Sequence, residues 1–223
     1  ALGEAVHSNV SISSIQQIGV GWRVDWNGRT NIYDEVLLTT PAHALDKLPL
    51  DESLQKALQP LLAIDYSPVS VLTVAFKRSD VAHPLDGFGV LVPEYEGRKI
   101  LGVLFPASLF ASRAPAGEVL LTVFVGGERQ AGLAVPDTDT LLATVLPELN
   151  ELFGTTGEPT FSHHRHWPRA IPQYNLGYGK MLAQMDAIEK KFVGLKLAGN
   201  YRDGISLSYC IEAAVSKEGH VTA

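Results

Sequence analysis

With 223 residues, 46% of them hydrophobic and 19% charged, the chain can build one large domain or two small ones and is too apolar for wholesale disorder. The formal charge of -6 comes from interspersed acids and bases, which excludes the basic stripe of a nucleic-acid binder, and the longest apolar run, 119–125, is far too short to span a bilayer. Cys210 is the only cysteine, so a disulfide framework within the chain is excluded and a reducing, cytoplasmic setting is expected.

The first element in chain order is a hairpin. Trp22, Val24 and Trp26 alternate with polar residues, Asn27 and Gly28 form a two-residue turn, and Ile32 and Tyr33 return. Residues 35–39 read as a short buried strand. Thr40 and Pro41 then serve as cap and first residue of a helix over 42–48. A second helix is expected over 51–61, with Leu54, Leu58, Leu61 and Leu62 on one stripe. Residues 69–76, 89–92, 100–105 and 119–125 are β-rich and separated by Gly/Pro turns, so they read as neighbours in an antiparallel or mixed sheet.

Residues 137–153 form the clearest amphipathic helix, strained or bent by Pro147. A strand over 159–166 and a Pro/Gly-rich stretch over 167–179 follow. The chain closes with a helix over 180–192, a strand over 195–198, a glycine turn and a helix over 205–216. The expected fold class is therefore α+β: α/β pieces at both ends, with a sheet-plus-helix insertion between them.

The glycine turn is the most informative segment. A buried strand leads into Gly199 and Asn200, and a loop carrying Gly204 meets a helix at Ile205 and Ser206. Glycines admit close backbone approach, and a helix start offers unpaired N–H groups. By residue type alone, such a segment is compatible with a ligand-approaching turn and equally with a plain tight connection.

With its particular residues, the segment resembles the C-terminal flavin-contacting motif of protoporphyrinogen oxidases, a branch of the FAD-dependent amine oxidase superfamily. Leu197, Ala198, Gly199, Asn200, Gly204, Ile205, Ser206, Cys210 and Ile211 all stand where that motif has them. Further matches come in the same order along the chain. His166-Trp-Pro-Arg-Ala-Ile-Pro-Gln-Tyr174 resembles the family's Trp-x-x-Ala-Ile-Pro-Gln-Tyr element near the flavin. Residues 85–93, 100–105 and 110–115 resemble its substrate domain, and 12–18 with 35–41 resemble the superfamily's second adenine-side pass, Ile15 standing where a valine is usual. One departure is local: Gly177-Tyr178 replaces a common Gly-His. The other is an absence, because no site in the sequence completes G-x-G-x-x-G after a strand. With no initial Met, basic n-region or apolar h-region, the sequence reads as entered midway through a longer parent that carries that fingerprint.

The resemblance implies three parts: 1–50 as a remnant of an FAD-binding domain, 51–166 as a substrate-binding domain, and 167–223 as the return to the FAD-binding domain. It implies cofactor contacts at Ile15, Thr40, Pro41, Trp167, Gly199, Asn200, Gly204, Ile205 and Ser206, with Ile15, Thr40 and Pro41 toward the adenine side. It implies an apolar pocket for a porphyrinogen at Leu104, Phe105, Leu109, Phe110 and Tyr174, although Phe105, Leu109 and Phe110 suit the sheet's own core equally well. The implied parent oxidises protoporphyrinogen or coproporphyrinogen on FAD with molecular oxygen as acceptor. Two other readings stand beside it: a non-catalytic folded fragment, and a general amine oxidase relative. No catalytic side chain is assigned, since hydride transfer to flavin needs no base at the donor carbon. His163, His164 and His166 lack a neighbouring acid or thiol to complete a metal site, and no Ser-His-Asp arrangement is legible. Peripheral attachment to the inner membrane and self-association are compatible with the resemblance, but no amphipathic anchor is evident.

Overall fold

The computed structural model describes residues 5–110 and 112–218, so residues 1–4 and Ala111 of the two segments quoted above lie outside the described residues. Two compact units result, one from residues up to Asp65 and from Pro172 onward, the other from Tyr66–Ile171.

In the first unit, strands β1 (Ile12–Ile18), β2 (Gly21–Trp26) and β3 (Arg29–Tyr33) form an antiparallel sheet in that order. The β2–β3 turn has positive φ at both central residues, Asn27 (47°) and Gly28 (74°). That is the backbone whose twist matches a two-residue hairpin. Trp22 and Ile15 point into the core, and Ile15 donates its N–H to the Pro49 carbonyl at 2.8 Å. Strand β4 (Val36–Leu38) pairs in parallel with β10 (Leu195–Leu197), registering Val36 with Leu195 and Leu38 with Leu197.

Two expected helices take tighter or shorter forms. Residues 42–47 wind as a 3₁₀ helix entered from Pro41, with no side-chain cap, so Thr40 does not cap it. Helix α1 (Glu52–Leu58) is capped by Asp51, whose carboxylate accepts the Leu54 N–H at 3.0 Å. It gives way to a 3₁₀ turn over Gln59–Ala63 because Pro60 has no N–H to continue the α-ladder. Leu45, Leu54, Leu58 and Leu61 are buried in this unit. The unit boundary therefore falls after Asp65 rather than at the expected 50/51, with α1 on the first unit's side.

The second unit is a five-stranded sheet in the order β6 (Gly89–Leu91), β7 (Gly102–Leu104), β8 (Glu118–Gly126), β5 (Tyr66–Lys77), β9 (Phe161–Pro172). The short helix α2 (Pro106–Leu109) follows β7, and α3 (Thr138–Phe153) crosses one face. Asp137 caps α3 through the Thr140 N–H at 2.8 Å, and Gly154 ends it in the left-handed region. Leu141, Val145, Leu149 and Phe153 recur every four residues along α3 and join Leu72, Val74, Phe76, Leu121 and Val123 in one core. Pro147 sits inside α3 without ending it.

Strand β9 runs six residues past the expected end at His166, through Trp167, Pro168 and Pro172. It lies at the edge of the sheet, where a residue without an N–H can face away from the ladder. The stretch that the prolines suggested was irregular is therefore strand up to the second boundary at 171/172.

Candidate functional site

The site is built where β4 and β10 end. In parallel pairs of an α/β arrangement, the crevice outside the carboxyl ends is where ligands bind. Val36 donates its N–H to Gly194 O at 2.8 Å, and Ala198 donates to Leu38 O at 3.0 Å. The pair thus delivers Thr39, Thr40 and Pro41 beside Ala198, Gly199 and Asn200. Because Pro41 enters its 3₁₀ helix without a side-chain cap, the Thr40 hydroxyl is unspent: its Oγ1 is buried with no hydrogen-bond partner among the described residues. A buried hydroxyl left unpaired is costly, and a ligand oxygen or nitrogen at this crevice would relieve that cost.

The loop after β10 is held by its own backbone. Gly199 O accepts the N–H groups of Arg202 and Asp203, both at 2.9 Å, while Gly199 N–H donates to the Asp203 carboxylate at 3.0 Å. Gly199 (φ +135°) and Gly204 (φ +113°) hold conformations that L side chains rarely adopt. A Cβ on Gly204 would lie 2.9 Å from Tyr209 Cβ, and one on Gly199 would lie 3.3 Å from the Tyr201 ring. Helix α5 (Leu207–Glu218) starts at Ser206, whose hydroxyl accepts the Tyr209 N–H at 3.2 Å. Ile205 is exposed at that start. The Cys210 thiol is directed to Gly204 O at 3.4 Å, so the lone cysteine packs against this turn.

Tyr174 joins the same loop from 26 to 30 residues away. Its hydroxyl donates to Asn200 O and accepts the Gly204 N–H at 3.1 Å. Burial raises the pKa of its phenol, and Asp203 and Cys210 push it the same way against the Gly204 N–H. The structure therefore brings Thr40, Pro41, Tyr174, Gly199, Asn200, Gly204, Ile205 and Ser206 to one end of the first unit. Ile15 is a core residue of that unit, 3% exposed. Tyr178, unremarked in the sequence beyond its departure from Gly-His, also bonds the loop by donating its hydroxyl to Tyr201 O. It opens helix α4 (Gly179–Lys191), and the glycines around it left no periodic pattern to flag it.

The remaining expected residues belong to the second unit. Trp167 is 46% exposed, with the Arg165 guanidinium 4.5 Å from its ring centroid. Leu104 is half-buried on β7. Phe105 is in the core, edge-on to Phe153 at 5.5 Å between centroids and tilted against His83 at 5.9 Å. Leu109 and Phe110 are exposed at the end of α2, Phe110 at 57%, with Arg113 at 5.5 Å from its ring centroid.

His164 and His166 share one face of β9 and converge on Ser70 of β5. Ser70 Oγ donates to Val135 O at 2.9 Å, which leaves its lone pairs to accept hydrogen bonds from the N–H tautomers at His164 Nε2, 3.1 Å away, and His166 Nδ1, 3.2 Å away. Thr138 then donates to His164 Nδ1, at 3.2 Å. Burial lowers the His164 pKa, His166 and His163 lower it further, and Asp137 opposes them. An imidazole whose pKa is depressed on folding stabilises the native state above its unfolded value of about 6.5 and loses that contribution as pH falls through the folded value. Thermal melts from pH 8 to pH 5 should therefore show a falling Tm that flattens in His164→Gln. An unchanged slope in that variant would assign the acid sensitivity elsewhere. Asp25, held low chiefly by its Thr30 hydrogen bond, and Asp137, held low chiefly by Thr140, act only below about pH 4, outside this window.

The chain belongs to the family described as flavin containing amine oxidoreductase, matched over residues 1–217. It is 38% identical over 185 residues to the mitochondrial protoporphyrinogen oxidase of Nicotiana tabacum, covering 81% of this chain and 37% of that protein. It is 25% identical over 215 residues to the coproporphyrinogen III oxidase of Staphylococcus aureus, covering 94% of this chain and 45% of that one. The chain thus spans less than half the length of these curated relatives. A solved structure from Exiguobacterium superposes with TM-score 0.75 at 22% identity, covering 95% of this chain and 46% of the other. Reduced UDP-galactopyranose mutase superposes with TM-score 0.71 at 14% identity, covering 95% and 45%. These likenesses show the α+β fold. Among the described residues no helix is long and apolar enough to cross a membrane.

Proposed function

We propose that this chain forms the flavin-contacting and substrate-contacting portion of an FAD-dependent oxidase that converts a porphyrinogen to its porphyrin with molecular oxygen as the final acceptor. The observation that carries the reading is the meeting of Thr40 and the glycine loop at the paired ends of β4 and β10. There a buried, unpartnered Thr40 hydroxyl lies on the strand end neighbouring a loop whose Gly199 and Gly204 hold φ values that L side chains rarely adopt. Both features fit a flavin: one supplies a donor seeking an acceptor, the other a backbone that a large planar group can approach closely.

FAD, when bound, supplies the acceptor for hydride from a methylene carbon of the macrocycle. The chain's own contribution is binding and orientation. Gly199, Asn200, Gly204, Ile205 and Ser206 present backbone and a helix start to the cofactor, and Thr40 and Pro41 line the neighbouring strand end. Leu104, Leu109 and Phe110 offer apolar area for the macrocycle, Phe105 supports them from the core, and Trp167 offers its exposed ring to the cofactor. Ile15 acts indirectly, by holding β1 against the 49–50 segment.

The test is an absorbance spectrum of the purified chain after incubation with FAD and gel filtration, followed by a porphyrinogen assay in air. A retained flavin band and the appearance of porphyrin fluorescence support the proposal. Flavin retention with peroxide released from amines, but no porphyrin, would favour the general amine oxidase reading. A colourless protein would favour the reading of a folded portion without activity of its own.

A further inference from the structure

Two tyrosines bind one short loop by three hydrogen bonds. Tyr174 bridges its two limbs, donating to Asn200 O and accepting from Gly204 N–H, so one hydroxyl closes the loop like a buckle. Tyr178 donates to Tyr201 O between those limbs. The two rings stack with centroids 4.5 Å apart and planes 30° from parallel, so neither phenol can swing away without unstacking the other. We propose that Tyr174 and Tyr178 are positioning residues: a stacked two-phenol clamp that sets the conformation of the 199–204 loop and, through it, the loop's hold on the flavin.

The anchor of the clamp is α4. Tyr178 stands at its start, where its carbonyl accepts the N–H groups of Met181 and Leu182. Glu189 lies about three helical turns further on, on the same side of the helix. Its carboxylate accepts the Leu197 N–H at 2.7 Å and pairs with Arg202 at 3.1 Å, and Asp186 takes Arg202 at 2.8 Å. One face of one helix therefore grips the loop near both ends, at the exit of β10 and at Tyr201 and Arg202. Gly199 and Gly204 give the loop its open backbone, and an open backbone has many alternatives to its native shape. The tyrosines remove that freedom before any ligand arrives, which is preorganisation of the kind that raises affinity without a new contact. The partial exposure of Tyr174, 44%, keeps the buckle at the surface of the site instead of in the core, so its loss need not unfold the unit.

The flavin part of this inference rests on the function proposed above, and the experiment separates the two. Tyr174→Phe, Tyr178→Phe and Tyr178→Ala are compared with wild type for amide hydrogen exchange at Tyr201 to Gly204 without flavin, and for FAD affinity and the visible circular dichroism of bound flavin. Tyr174→Phe should speed exchange at Gly204 about tenfold, the worth of one ordinary hydrogen bond, and weaken FAD by a similar factor. Tyr178→Phe keeps the stack and should fall between wild type and Tyr178→Ala on both readouts. The flavin dichroism should change in step, while Tm moves little. Unchanged exchange in folded variants overturns the clamp, and faster exchange with unchanged FAD affinity and dichroism overturns its positioning role. If the wild-type chain retains no FAD, the functional reading fails, and the exchange data alone still decide whether the clamp sets the loop.

Discussion

Trp22→Ala is expected to lower Tm by roughly 10 °C, the consequence of losing about 3–5 kcal/mol at a fully enclosed indole in a protein of this size. Trp22 lies in β2 with no solvent-exposed surface, and its Nε1 donates to Val193 O at 3.0 Å. That carbonyl precedes Gly194, which sits at φ +79° directly against the ring: a Cβ there would be 2.9 Å from Trp22 Nε1 and 2.5 Å from Asp34 O. Gly194 O in turn accepts the Val36 N–H that starts the parallel pair of β4 and β10. Removing the indole opens a cavity beside the turn that sets the register of that pair. The lesion should therefore reach the glycine loop as well as the core. Trp22→Phe retains part of the ring volume, and Gln17 Nε2 still donates to Val193 O at 3.1 Å, so its loss should be less than half as large. Gly194→Ala should be as damaging as Trp22→Ala, by strain instead of a cavity. Circular dichroism melts of the three variants check the ordering, and a Trp22→Ala melt within 2 °C of wild type would overturn it.

Why some of this was legible in the sequence and some was not follows from the range of the interactions. The hairpin was readable because alternation in β2 and the positive-φ preference of Asn27 and Gly28 are local signals. The Asp137 cap and the three- to four-residue recurrence in α3 outweighed Pro147, since the buried face supplies more than one missing hydrogen bond removes. Where local signals misled, a neighbour decided. Pro168 and Pro172 suggested a break, but a strand at the sheet edge tolerates them. Thr40 followed by Pro41 suggested a capped helix, but the short 42–47 segment winds as 3₁₀ and leaves the hydroxyl buried without a partner among the described residues. Partnerships between distant segments were not legible at all. Ser70 meets His164 and His166 across 94 and 96 positions, and Tyr174 and Tyr178 meet their loop across 23 to 30. The glycine loop itself was visible by composition, and the resemblance implied a use for it, but only the parallel pairing explains why Thr40 ends up on the neighbouring strand end.

Gly199→Val is expected to reduce FAD retention by a hundredfold or more while lowering Tm by only several degrees, as Gly28→Val does, and the contrast between the two variants in flavin is what makes it informative. At φ +135° a β-branched residue carries a strain of about 1–3 kcal/mol, and its Cβ would press within 3.3 Å of the Tyr201 ring. Relief requires the loop to move, which breaks the turn in which Gly199 O holds the Arg202 and Asp203 N–H groups. The bond from Ala198 N–H to Leu38 O lies upstream, so the strand pair survives and the damage stays in the loop. Gly28→Val is the matching control: φ is +74°, so strain of the same kind is introduced, but nothing lies within 4 Å of the added Cβ and the position is the distant hairpin turn. Backbone strain alone would make the two variants alike in Tm and alike in flavin. If the glycine at 199 is there to let a flavin approach, Gly28→Val lowers Tm and keeps the absorbance band, whereas Gly199→Val loses the band first. Equal retention in both variants would move the cofactor away from this loop and would take the proposed role of Gly204, Ile205 and Ser206 with it.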